Sequence, residues 1–243
     1  ALGKNEIMPV PVICIGNITV GGNGKTPTAI KLQKMLFKMG YKPHIVSRGY
    51  RGSIRGPHLV NKKYDTIKGV GDEALMISDY GPNWVSKDRR LGVKAAALQG
   101  ADVVILDDGF QNYSLKKNIS ILVVDTLVGF GNGWLVPSGP LREPVSGAIK
   151  RADIILTMGT LYQKENFLRN YQNVNHKKVI SAKLKPLQPE IDLNKKRVIA
   201  FAGIGHPNKF FDSIKLLGAI PIKCISCPNH YHFNLTFIES LLS

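Results

Sequence analysis

The sequence predicts an α/β fold: a mainly parallel sheet covered by helices, joined to a second, smaller α/β domain. Two observations carry this. Short apolar runs of strand length alternate with amphipathic runs of helix length along most of the chain. The first of them, VPVICIG from Val10 to Gly16, is bounded by proline and glycine and shows no polar alternation, as in a strand buried on both faces. With 243 residues and 44% hydrophobic content, the chain has the material for such a core.

The elements follow in order. After the strand Val10 to Gly16, residues Thr26 to Met39 form a helix in which Ala29, Ile30, Leu32, Leu36 and Phe37 recur at helical spacing, and Gly40 stops it. Strands are expected at His44 to Ser47, Trp84 to Ser86, Asp102 to Leu106 and Ile119 to Val124, with helices at Glu73 to Tyr80 and Arg89 to Gln99 between them. A second series has strands at Ile154 to Thr157, Val179 to Ala182, Val198 to Ala202 and Ile222 to Ile225, and helices near Asn166 to Tyr171, Asn208 to Leu217 and Leu235 to Leu242. The polar segment NYSLKKN, Asn112 to Asn118, suggests a domain boundary, giving residues 1–115 and 116–243. The sequence shows no internal repeat and no low-complexity segment.

Between the first strand and the first helix lies TVGGNGKTP, Thr19 to Pro27. It nearly matches G-x-x-x-x-G-K-[ST], in which backbone amides cradle phosphates, the lysine reaches the β and γ phosphates, and the hydroxyl holds Mg²⁺. Gly24, Lys25 and Thr26 are in register, while Thr19 replaces the first glycine. The strand-to-helix setting favours a phosphate loop over an ordinary glycine turn, because the helix N-terminus adds its own amides and dipole. A P-loop NTPase-like domain over residues 1–115 follows, with Thr19, Val20, Gly21, Gly22, Asn23, Gly24, Lys25 and Thr26 as nucleotide contacts. Dimerising ATPases with a modified loop carry a second lysine before the paired glycines; Val20 stands there, which disfavours their mechanism.

ADVVILDDGFQ, Ala101 to Gln111, is an apolar strand ending in two carboxylates, where nucleotide-binding α/β proteins place an acidic residue on Mg²⁺. Asp107 and Asp108 are the candidates, with Asp108 and Thr26 as the expected metal pair. In VGDEALMISDY, Asp72 or its neighbour caps a short helix, or Asp72 is a base near an acceptor hydroxyl. Arg48, Lys87, Arg89 and Arg142 are candidate substrate-facing cations, and Arg90 could also neutralise phosphate charge, although residues of this kind are more often solvated surface charges. CISCPNHYH holds Cys224, Cys227, His230 and His232 closer together than structural zinc spacings require, so a zinc site is not expected. GFGNG and FAGIGHP do not match a dinucleotide fingerprint.

The formal net charge of +16 points to an anionic partner such as phosphate, nucleic acid or an acidic membrane surface. The basic residues lack interleaved aromatics and match no recognition motif, which argues against nucleic acid. Three cysteines and a start, ALGKNEIMPVP, without a secretion signal suggest a reducing, cytoplasmic compartment. No run reaches the roughly 18 to 20 apolar residues of a membrane span. The missing initiator Met suggests that the chain is not a whole gene product.

GNITVGGNGKTP, VSRGYRG, GVGDE, DDGFQNYSL, GFGNGWLVPSGPLREP and FAGIGHPNKFF together resemble the tetraacyldisaccharide 4'-kinase family of lipid A biosynthesis, over about Pro9 to Phe237. The resemblance implies transfer of the ATP γ-phosphoryl group to the 4'-hydroxyl of a lipid A disaccharide 1-phosphate, giving lipid IVA. It also implies Mg²⁺ dependence and peripheral action at the cytoplasmic face of the inner membrane. The implied site lies between a P-loop domain and a second α/β domain. Asp107 and Asp108 would organise Mg²⁺, Glu143 of PLREP would assist at the nucleotide, Asp72 would be the base and His230 its partner. Asn229 stands where the family usually has aspartate, and the family's N-terminal hydrophobic helix and C-terminal Thr-Glu-Lys-Asp segment are not seen. The alternative is a P-loop ATPase whose hydrolysis drives a conformational change; it would keep Lys25, Thr26 and Asp108 but have no use for a base at Asp72.

Overall fold

The computed structural model describes residues 5–22, 24–187, 189–229, 231 and 233–242. They form two compact units, 1–183 and 184–243.

In the first unit, β1 (Val12–Gly16), β2 (Pro43–Ser47), β3 (His58–Leu59), β4 (Asn83–Val85), β5 (Val103–Asp107), β6 (Ile119–Asp125), β7 (Ile154–Met158) and β8 (Lys178–Ala182) make one sheet in the order β3-β4-β2-β5-β1-β6-β7-β8. All neighbours are parallel except β3, which runs antiparallel on β4. The helices are α1 (Lys25–Lys38), α2 (Ile67–Val70), α3 (Asp72–Ser78), α4 (Arg89–Leu98), α5 (Val145–Arg151) and α6 (Leu161–Asn170). Every residue of β2 and β5 is buried, the polar His44, Ser47 and Asp107 included. Alternate residues feed two cores. Cys14, Leu106, Leu122 and Val124 join Val93 of α4, Ala148 of α5 and Phe167 of α6, while Ile15, Ile45, Ile105 and Val123 meet Ala29 and Ile30 of α1 and Ile77 of α3.

The second unit holds β9 (Arg197–Ala202), α7 (Pro207–Leu216), β10 (Ile220–Ser226) and α8 (Leu235–Leu242), with β9 and β10 parallel. Its small core of Ala200, Ala202 and Phe211 is accompanied by a ring cluster in which Phe201 lies 4.9 Å from Phe233 and 5.3 Å from Phe237.

The chain divides after Lys183, not near residue 115. NYSLKKN is a loop inside the large sheet, because the strand that follows it pairs directly with β1, Ile13 opposite Ile119 and Ile15 opposite Ile121. Three short elements, β3, α2 and α5, were not expected: two and four residues are below any periodicity, and α5 follows Pro144 and contains Gly147. The helix expected near Asn166 begins at Leu161, where Thr160 and Gln163 form a reciprocal capping box.

Candidate functional site

The C-terminal edge of a parallel sheet, at the point where the chain changes direction, is where α/β proteins bind ligands. Here β1 is flanked by β5 on one side and β6 on the other, and the loop leaving β1 is TVGGNGKTP. Positive φ falls on Gly21 (108°) and Gly24 (83°) but not on Thr19, so threonine fits where the motif has its first glycine. Thr19 is buried, accepts the Asn17 side-chain amide at 2.8 Å through its carbonyl, and forms a bridge with Leu141. Gly24 is the N-cap of α1 and no side chain caps that end. The first-turn amides and the helix dipole are left to an anion.

Register places the β5 carboxylates beside this loop: Ile15 of β1 lies opposite Asp107. The Thr26 hydroxyl donates to Asp107 Oδ2 at 2.9 Å, and Asp107 Oδ1 is buried without a hydrogen-bond partner. Burial pushes the Asp107 carboxyl up to about 6, the Thr26 hydrogen bond opposes the rise, and the carboxylates of Glu73 and Asp108 add to it. A hydroxyl beside an orphaned carboxylate oxygen suits a hard divalent cation. No group of three His, Cys, Asp or Glu is assembled among the described residues, so a cation here would share its shell with phosphate oxygens and water. The carboxylate that the Thr26 hydroxyl bonds is Asp107, one residue before the expected Asp108. Asp108, at φ 52°, stays beside the phosphate loop, accepting from Arg142 at 3.1 Å and lying 3.8 Å from Lys25 Nζ.

Two other candidates are engaged within the protein. Glu143, expected at the nucleotide, is already engaged at both oxygens, paired with Arg151 and accepting from Gln111 Nε2 at 2.8 Å. Gln111 also donates to the Asn17 carbonyl at 2.8 Å, so Glu143 braces the start of the phosphate loop. Arg89, expected to face substrate, is buried behind the end of β5, donating to the Ser86 carbonyl at 2.7 Å and the Asp107 carbonyl at 3.4 Å. Burial lowers its guanidinium to about 10, against the pull of Asp107 and Asp108, and it stays charged at neutral pH. Arg142 is tied to Asp108. Arg48 and Lys87 are exposed after β2 and β4, on the same sheet edge.

Asp72 is the first residue of α3, not its cap: Gly71, at φ 91°, holds that place. A Cβ on Gly71 would lie 2.4 Å from the Tyr50 carbonyl oxygen, so glycine lets GVGDE pack onto the SRGYRG loop. Asp72 Oδ1 accepts the Glu73 amide at 2.9 Å. The carboxylate of Glu73, the next residue of α3, is among the charges that raise the Asp107 carboxyl. Asn23, His230 and His232 lie outside the described residues, and with them the expected Asp72–His230 pairing. Cys224, on β10, is exposed. Gln111 and Arg151 were missed; the first sits inside the quoted DDGFQ motif, and the second on the helix that periodicity did not reveal.

Comparisons with known proteins agree on one family. The family model described as tetraacyldisaccharide-1-P 4'-kinase matches residues 1–243. A tetraacyldisaccharide 4'-kinase of Jannaschia sp. is 50% identical over 217 residues, covering 89% of this chain and 66% of that protein. One from Gluconobacter oxydans is 44% identical over 233 residues, covering 96% and 70%. The chain thus spans about two thirds of the length of these relatives. Among solved structures, LpxK from Aquifex aeolicus in complex with ATP superposes with a TM-score of 0.75 at 30% identity, covering 94% of this chain and 74% of that one.

Proposed function

The chain belongs to the tetraacyldisaccharide-1-P 4'-kinase family, and from that premise we propose that it transfers the γ-phosphoryl group of ATP to the 4'-hydroxyl of a tetraacyldisaccharide 1-phosphate. The observation that carries this reading is the Thr26 hydroxyl on the Asp107 carboxylate at 2.9 Å, at the start of an uncapped helix behind a phosphate loop. Loop amides from Gly21 to Thr26 and the Lys25 ammonium bind the β and γ phosphates and hold the charge that develops on the transferring group. Thr26 and Asp107 would hold Mg²⁺, which when bound neutralises phosphate charge. Arg142 and Asp108 fix one another beside Lys25.

In the transfer itself, the sugar oxygen bonds to the γ phosphorus as the bond to the β–γ bridging oxygen breaks, and ADP leaves. The hydroxyl proton needs an acceptor. Asp72, the carboxylate that begins α3, takes that role, and the family resemblance pairs it with His230. Arg48 and Lys87 supply positive charge for the substrate phosphate from neighbouring loops.

A lipid acceptor also calls for contact with an anionic membrane, peripherally at the cytoplasmic face of the inner membrane. No helix among the described residues is long and apolar enough to cross a bilayer. The net charge of +16 favours such a surface. The test is to incubate the protein with Mg-ATP and the disaccharide 1-phosphate and weigh the product. A gain of one phosphate, dependent on acceptor, is expected; ATP turnover at the same rate without acceptor, and no heavier lipid, would overturn the reading.

A further inference from the structure

On the footing of that kinase reading, we infer that the connection leaving β6 is a membrane-docking loop. Its apolar side chains, headed by Trp134, enter the headgroup region of an anionic bilayer and hold the phosphate loop at the lipid surface. Leu127, Trp134, Leu135 and Val136 are all exposed, Trp134 at 66%. Leu161 and Tyr162, in the loop-to-helix start after β7, are more than 70% exposed. Since β6 and β7 are parallel neighbours, both connections leave the same sheet edge as the phosphate loop.

The loop has a fixed frame. Asn132 accepts the Trp134 amide at 3.1 Å and donates to the Ser138 carbonyl at 3.0 Å; the Val136 amide donates to Leu141 at 2.9 Å, and the Leu141 amide to Trp134 at 3.1 Å. Phe130 is buried as its anchor, edge-on to Tyr171 with ring centroids 4.8 Å apart. Its far end pairs with the phosphate loop, the Val20 amide donating to the Pro140 carbonyl at 2.9 Å. A hydrogen-bonded frame that turns several large apolar groups to water marks an interaction surface.

The chemistry of its surroundings selects the occupant. Arg48, Arg51 and Lys87 leave the other half of the same edge, from the loops after β2 and β4, and the whole chain carries +16. Tryptophan and tyrosine beside such cations match the headgroup region of an anionic membrane, where amphipathic rings settle and basic residues meet lipid phosphate.

The chain has two tryptophans, and the other, Trp84, is buried at 7% exposure, so intrinsic fluorescence reports on Trp134. With vesicles of phosphatidylglycerol and phosphatidylethanolamine, emission should shift to the blue, and brominated lipid in the same vesicles should quench it. Trp134→Phe should remove both signals while binding persists. The Leu135→Ser, Val136→Ser variant should bind about tenfold more weakly in 0.5 M salt, where surface attraction is screened, with an unchanged melting temperature as the check on folding. Vesicle binding with Trp134 unshifted and unquenched, or no binding, would overturn the inference whatever the variants do. None of these readouts uses phosphoryl transfer, so failure of the kinase reading would show separately.

Discussion

Two neighbouring parts of the sheet edge treat their polar groups in opposite ways. Around the phosphate loop, groups are left unsatisfied: the first turn of α1 has no side-chain cap, and Asp107 Oδ1 is buried without a hydrogen-bond partner. Around Arg142 and Glu143, charges are matched within the protein, Arg142 on Asp108 and Glu143 between Arg151 and Gln111. Burying an unpaired polar group costs stability, so a fold keeps one where a ligand completes it. Paired charges position; unpaired ones bind. Asp107 and Asp108 are adjacent and alike in the sequence, and only their partners separate them.

The largest effect tests whether Asp72 belongs with the reacting groups. Asp72→Ala should lower kcat by roughly 10² to 10⁴, the range for a general base, with little change in ATP affinity. A helix-terminal carboxylate with no chemical role would instead cost about 1 kcal/mol of stability. Single-turnover transfer measured beside the melting temperature separates the two, and a destabilised but fully active variant would remove Asp72 from the mechanism.

The unsatisfied side makes a sharper demand, because its groups are bad for the empty protein and good for the reaction. Lys25→Ala should cost on the order of 10² or more in rate. Asp107→Asn should cost a similar factor and yet stabilise the nucleotide-free protein. The Asp107 carboxyl sits at about 6 when folded against an ordinary 3.8, so the folded state holds its proton more tightly and stability falls as pH rises between roughly 4 and 6. Above that window the penalty is on the order of 2 to 3 kcal/mol. Without magnesium, Asp107→Asn should therefore melt above the parent at pH 8, and the difference should close near pH 4. A lower melting temperature at pH 8 would show that Asp107 is not the strained group described here.

On the satisfied side, the signs should agree. Arg151→Met leaves Glu143 without its cation; with the acid mostly buried and the arginine about one-third exposed, the cost should be roughly 1 to 2 kcal/mol. Because Glu143 acts on the loop through Gln111 and the Asn17 carbonyl, KM for ATP should rise several-fold while kcat changes less. A double-mutant cycle with Glu143→Gln should show coupling between the two positions; additive effects would mean that the brace is incidental.

Most of the large sheet was legible because its central strands are largely buried on both faces and therefore mostly apolar, as in Val103 to Leu106 of β5. The phosphate loop was legible because backbone geometry demands glycine and chemistry demands Lys25 and Thr26 at fixed offsets. What was hidden is pairing across the chain. Nothing in the spacing says that Thr26 meets Asp107 and not Asp108, since a one-residue choice is made by the strand's pleat and the turn at Asp108. Nor does composition tell a buried Arg89 from an exposed Lys87 two residues earlier. The domain boundary failed for a related reason: a polar loop reads the same whether it joins two domains or two strands of one sheet.

The smallest expected effect returns to the residue that breaks the motif. Thr19 lies where the two sides meet, its backbone bridged to Leu141 and its carbonyl accepting from Asn17. Since positive φ begins only at Gly21, glycine at position 19 relieves no strain, and it gives up a buried side chain while adding freedom to the unfolded chain. Thr19→Gly should therefore cost about 1 kcal/mol of stability and leave kcat and KM for ATP within about twofold, because the phosphate-facing amides begin at Gly21. A melting curve beside initial rates at saturating and limiting ATP checks both. A Thr19→Gly variant with a tenfold better KM would mean that the missing glycine limits the loop, and that Thr19 belongs to the binding side of the edge.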